Sequence, residues 1–266
     1  MLLAEKYIPQ GTKRYKSLSK SFNSFDKLFS FSPLRWFGVW VTLIAGDNVV
    51  SHLSDRWMYW NWNSLSIYLI IALIIFPYFD YLLNSKYEEL KQVNSASAAS
   101  KIFLYGFCLF IVGANPLSFS LEVLYVGLPY ILFFLVGHIT WGISINNDNS
   151  NKLLKKEIAP NLCLIILGSL MASILGYIND DPMISTVAAV FLPFPVVALF
   201  FPIAIRHLQR CRIYIVFIPT MFLSMRYPWL LALIGPLFIL SRHYYYFTTG
   251  KPYPTFKVDH SDEQLV

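Results

Sequence analysis

The sequence predicts an all-α fold, a polytopic membrane helical bundle of about eight transmembrane helices with N-terminus and C-terminus both cytoplasmic. Three observations predict it. Of 266 residues, 56% are hydrophobic and only 14% are charged, too little polar surface for a soluble fold and too little length outside the apolar stretches for a second domain. Apolar runs divide the chain at 33–52, 64–83, 97–115, 118–143, 160–178, 184–205, 212–225 and 228–246, most of them near the ~20 residues that cross ~30 Å of hydrocarbon. Nineteen of the twenty-one Lys and Arg residues fall in alternate segments between those runs or in the run ends that adjoin them. Cationic loops resist translocation, so the crowded side is expected to be cytoplasmic, with only Arg56 and Arg226 outside.

Residues 1–32 are expected to form a cytoplasmic leader, 33–247 the transmembrane bundle and 248–266 a cytoplasmic tail. The leader is polar and basic without an apolar signal region, so the first crossing is expected to direct insertion. Between Lys16 and Phe31, Leu18, Phe22, Phe25 and Phe29 recur at helical spacing while Lys16, Lys20 and Lys27 point elsewhere, the pattern of an in-plane helix on the inner leaflet. After the first crossing, Trp57, Tyr59, Trp60 and Trp62 suit the outer head-group layer, where an apolar ring with one polar N–H or O–H is at home.

The second, fourth, seventh and eighth crossings each carry proline. The segment 146–157, NNDNSNKLLKKE, is expected to be a solvated connection. In the fifth crossing Gly168, Ala172 and Gly176 recur every four residues beside Ser169 and Ser173. Lipid supplies no hydrophobic drive between helices, so such a narrow face is the packing signal. The sixth crossing holds Pro193, Pro195 and Pro202 and is predicted to depart from straight α-geometry between Leu192 and Pro202, because the missing N–H groups interrupt its ladder. Freed carbonyls at that depth need protein or a wet cavity, which makes this crossing a candidate cavity wall.

Composition also excludes. The formal charge of +6 sits in short loops flanking apolar runs, where it sets orientation and meets anionic lipid, so nucleic acid is not an expected partner. Cys108, Cys163 and Cys211 have neither disulfide nor zinc-ligand spacing. His138 and His243 lie about two turns apart in depth, which does not favour a bis-His haem or chlorin site. Glu122, Asp47 and His52 lie near outer helix ends, close to water, and receive no role.

Two groups near the cytoplasmic side can carry chemistry. Asp80, Asn84 and Glu88 are spaced by four, which stacks their oxygens on one helical face. Such a stripe can hold Mg²⁺, with Asp80 and Glu88 as ligands and Asn84 beside them, although Asp80 can equally pair with a neighbouring lysine. Arg206, Arg210 and Arg212 fall within seven residues in RHLQRCR and can grip a phosphate or diphosphate by forked hydrogen bonds. The same three also serve the charge asymmetry.

With DYLLNSKYE after the second crossing, RHLQRCR after the sixth and SRHYYYFTTGKPYPTF in the tail, the chain resembles the UbiA-type intramembrane prenyltransferase superfamily. That resemblance implies a helical bundle, Mg²⁺ as cofactor, and a prenyl diphosphate and an acceptor as partners at the cytoplasmic face. The chain departs from the family's NDxxDxxxD motif, offering only Asp80, Asn84 and Glu88, and carries Arg and His where the second Asp-rich motif belongs. Fewer carboxylates weaken Mg²⁺ binding and diphosphate departure. The expected function is therefore a divergent membrane protein that binds an isoprenoid or lipid, as a prenyltransferase or as a catalytically silent relative. The alternatives are a non-enzymatic integral subunit with membrane-protein partners and, third, a transporter, which the broken sixth crossing supports but the lack of midplane charges and repeats does not. The expected location is a multi-pass integral membrane protein, of the inner (cytoplasmic) membrane if the source is prokaryotic.

Overall fold

In the computed structural model, residues 2–26, 33–54, 67–86, 93, 95–143, 151–201, 204–205, 208 and 211–251 are described. Among them every regular element is helical. In order these are α1 (Leu3–Tyr7), α2 (Lys13–Asn23), α3 (Pro33–Ser54), α4 (Ile67–Lys86), α5 (Ala96–Gly113), α6 (Leu121–Gly142), α7 (Asn151–Ile178), α8 (Pro182–Phe191), α9 (Pro193–Phe200), α10 (Arg212–Arg226) and α11 (Leu231–Thr249). Single 3₁₀ turns at Pro116–Ser118 and Pro228–Leu230 precede α6 and α11. Side-chain caps mark the starts that sequence signals announce: Ser95 accepts from the Ala98 N–H, Ser120 from the Val123 N–H and Asp181 from the Met183 N–H.

Four stretches are long and apolar enough to cross a membrane among the described residues: Ala96–Gly113, Leu121–Gly142, Ile158–Ile178 and Pro182–Phe200. That is coarser than the eight crossings expected. At 15 residues α10 is only ~22 Å long, short of a hydrocarbon core by itself.

The middle of the bundle is built by α3 and α6. Helix α3 is apolar nearly all round and packs on α4, α5, α6 and α10, with Leu43, Ile44 and Ala45 fully buried. Helix α6 packs on α3, α5, α7 and α10. Along α7 the Gly168–Ala172–Gly176 face is used on two sides. A Cβ at Gly168 would lie 2.6 Å from Val136 Cγ2 of α6, and one at Gly176 would lie 2.8 Å from the Ser185 nitrogen of α8. The tightest crossing was not anticipated. A Cβ at Gly113 would fall on the Leu43 carbonyl, and one at Gly46 on the Phe110 carbonyl, so α3 and α5 meet backbone to backbone. Outward, Ile67, Ile71, Ile74 and Tyr78 of α4 and Leu164, Leu167, Met171 and Ile174 of α7 are exposed at helical spacing, an apolar exterior suited to lipid.

Three expectations change in detail. The sixth run is two helices, joined at Leu192 (φ −51°, ψ −41°) before Pro193 and ended by extended Phe201 (φ −120°, ψ 92°). Its ladder is interrupted where the prolines predict, but Leu192 keeps helical angles and the run continues through the join. The segment 146–157 is helical from Asn151, because NKLLKKE consists mostly of strong helix formers that extend α7 toward the basic end. The apolar face of the leader helix is occupied by protein. Tyr15, Leu18 and Phe22 pack on Tyr246 and Phe247 at the end of α11, Phe25 is 41% exposed, and Phe29 lies outside the described residues.

Candidate functional site

Helices α7 and α8 form a tight hairpin through Asn179-Asp180-Asp181-Pro182. The Asp181 N–H returns to the Gly176 carbonyl (2.8 Å), and Asp180 takes the left-handed conformation (φ 52°) that Asp tolerates better than most residues. Proline can begin α8 because the first helical N–H needs no partner, and Asp181 caps it, its Oδ1 accepting from the Met183 N–H at 3.1 Å. This turn carries Asp181 into the protein, where it is 1% exposed.

Three other helices complete the cluster. From α6, the Tyr130 hydroxyl donates to Asp181 Oδ2. From the end of α10, Arg226 is 3% exposed and its Nη2 lies 3.5 Å from Asp181 Oδ1. From α3, His52 lies within electrostatic reach of Asp180, Asp181 and Arg226. The next residue, Tyr227, donates from its hydroxyl to Asp47 Oδ2 at 2.8 Å and hydrogen-bonds Ser51. Burial first, then the Asp47 charge, raises the Tyr227 phenol well above its ordinary value, so it remains a donor. Asn48, 4% exposed on α3, has no partner for its Nδ2 among the described residues.

Chemically, this arrangement is a clamp. Both Asp181 oxygens are engaged by protein donors, Oδ2 by Tyr130 and Oδ1 by the Met183 N–H and Arg226, and the side chain is 1% exposed. Removing one member of such a buried pair strands the other, a loss of about 3–5 kcal/mol. Asp47 and His52, both half-buried, thus also take part in a polar network. Two sequence signals could have found it: Arg226 breaks the charge partition, and Asp181-Pro182 after an apolar run is a helix-start signature.

Of the residues expected to carry chemistry, Asp80, Asn84 and Arg212 lie toward the opposite end of their helices from this cluster. Glu88, Arg206 and Arg210 are outside the described residues. Asp80 and Asn84 are in the last two turns of α4 and Arg212 opens α10, described as helix backbone only. Helix registers nevertheless fix their depths. The Trp40 indole N–H donates to the Leu73 carbonyl (2.8 Å) across antiparallel α3 and α4, so counting seven residues along each puts Asp80 level with residue 33. The Phe37–Phe217 ring contact (5.7 Å) and the Asp47–Tyr227 hydrogen bond share one offset of 180 residues, so α3 and α10 run parallel and Arg212 is level with residue 32. The backbones of Asp80 and Arg212 therefore lie near one depth, that of the start of α3.

His138 and His243 each place Nδ1 on the carbonyl four residues back, Phe134 at 3.1 Å and Ile239 at 2.7 Å. Among the described residues no three His, Cys, Asp or Glu side chains gather as metal ligands; the Asp80–Glu88 stripe proposed for Mg²⁺ falls outside that statement. Compared with protein-family models, with curated proteins and with solved structures, the chain matches none.

Proposed function

We propose that this protein crosses the membrane eight times with both termini cytoplasmic, and binds an isoprenoid or other lipid with an anionic head group at the cytoplasmic end of its bundle. The observation that carries the reading is the common depth of the Asp80 and Arg212 backbones near the start of α3. An acid stripe and an arginine loop would together give a diphosphate what it requires: Mg²⁺ on Asp80 and Glu88, Asn84 beside it, and guanidinium forks from Arg206, Arg210 and Arg212. Prenyl transfer follows if an acceptor reaches the carbon released as diphosphate departs.

Binding of a radiolabelled isoprenyl diphosphate to the full chain in nanodiscs, with and without Mg²⁺, tests this. Arg210→Ala with Arg212→Ala is expected to weaken binding about tenfold or more, the value of lost charged hydrogen bonds. Asp80→Asn is expected to remove the Mg²⁺ dependence and any pyrophosphate release while the protein stays inserted. Wild-type affinity in both variants would sink the head-group site, and stoichiometric co-purifying membrane proteins would then favour the non-enzymatic subunit.

A further inference from the structure

The leader is attached to the last helix through one side only. The Tyr15 hydroxyl donates to the Tyr246 carbonyl (2.9 Å), the Tyr246 hydroxyl to the Ile8 carbonyl (2.9 Å), Gln10 Nε2 to the Gly250 carbonyl (2.6 Å) and the Tyr244 hydroxyl to Asp26 Oδ1 (2.8 Å). The Phe22 ring stacks on Phe247 at 5.0 Å between centroids. These contacts come from the inner face of α2 and the turns beside it, and Ala4 of α1 is buried in the same cluster with Tyr246 and Phe247. The outer face carries Lys6, Lys13, Arg14, Lys16 and Lys20, all exposed. Its two acids are engaged, Glu5 by the Leu2 N–H and Asp26 by Tyr244. Leu3 and Tyr7, one turn apart on α1, are 74% and 69% exposed, and Lys6 Nζ lies 5.7 Å from the centre of the Tyr7 ring.

We propose that α1 and α2 form a clip that binds the head groups of anionic phospholipid in the leaflet where α11 ends. The clip lays its lysines on the phosphates and inserts Leu3 and Tyr7 among them. Three features select this occupant. Five exposed cations against two hydrogen-bonded carboxylates leave a net positive face that suits a polyanionic surface. An exposed Leu and Tyr at helical spacing suit the water–hydrocarbon boundary, where an aromatic ring and a snorkelling lysine are both stable. The hydrogen bonds to residues 244–250 hold the clip where an apolar helix leaves the bilayer. Each Lys near such a surface is worth about fivefold in binding.

The inference rests on α11 crossing the bilayer, and goes beyond the head-group site proposed above. Its test uses the full chain with Cys108, Cys163 and Cys211 replaced by Ala, a fluorophore on Ser17→Cys, and nanodiscs of phosphatidylcholine with or without phosphatidylglycerol. The label is expected to be shielded from the neutral quencher acrylamide and quenched by head-group spin labels only when phosphatidylglycerol is present, and to lose this shielding at about 1 M salt, where screening is nearly complete. Lys13→Glu with Lys16→Glu and Lys20→Glu should abolish the lipid dependence, and the three Gln substitutions should weaken it. A second label on Leu117→Cys, 94% exposed at the other end, should ignore lipid charge. Nanodiscs present both faces, so an inverted orientation would not hide the effect. Equal shielding in the two lipids, or an unchanged response in the Glu variant, overturns the clip and leaves the isoprenoid site untouched.

Discussion

Donors from three helices converge on the Asp181 carboxylate, and each bond has a different role. Tyr130 and Arg226 offset the loss of water around a carboxylate buried to 1%, while the Met183 N–H ties the same group to the start of α8. Asp181→Ala is expected to lower stability by about 3–5 kcal/mol, because it leaves the Arg226 guanidinium buried without its carboxylate. Tyr130→Phe should cost about 1–3 kcal/mol, since one carboxylate oxygen loses a donor. Reversible unfolding in detergent measures both, and the double variant should cost less than the sum, because the two share Asp181. Additive losses would show that the bonds act independently. The sequence holds clues to this cluster in Arg226 and Asp181-Pro182, but the two residues are 45 positions apart and only packing brings them together.

For the helices, small residues decide which pairs touch. Gly113 and Gly46 let α3 and α5 meet at the backbone, whereas nothing lies within 4 Å of a Cβ added at Gly235 on α11. Gly113→Ala should therefore destabilise by at least about 1–3 kcal/mol, as overpacking does, while Gly235→Ala should be neutral or stabilise by up to about 1 kcal/mol. Melting temperatures of the two variants check the contrast, and similar losses in both would argue against the close crossing. The Gly168–Ala172–Gly176 face was legible as a packing surface from its spacing. Its division between α6 and α8 was not, since spacing names a face and not its neighbours.

Over the whole molecule, contacts pair the helix ends that the charge pattern assigns to one side. Residues 47 and 227, and 181 and 226, meet at one end, and residues 10 and 250 at the other. The proposed topology predicts that cysteines at Gln92, Ser150 and Gln209, in a background without native Cys, react with an impermeant thiol reagent only after the inner face is opened. Labelling of Gln92 in intact cells would overturn that topology, and with it the cytoplasmic entrance for a lipid head group.

Hydropathy and periodicity determined that the chain is helical, roughly where most helices lie, and that a membrane is its environment, because those properties depend on residues within a few turns of each other. They could not tell a core residue from a lipid-facing one. Leu43 is fully buried and Leu167 is 55% exposed, yet in an apolar solvent both positions accept leucine equally well. The tertiary structure decided the backbone contact of α3 with α5, the docking of the leader on α11, and the burial of Asp181 beside Arg226. In each case the deciding quantity is steric fit or hydrogen-bond satisfaction between segments far apart in the chain, which no local pattern records.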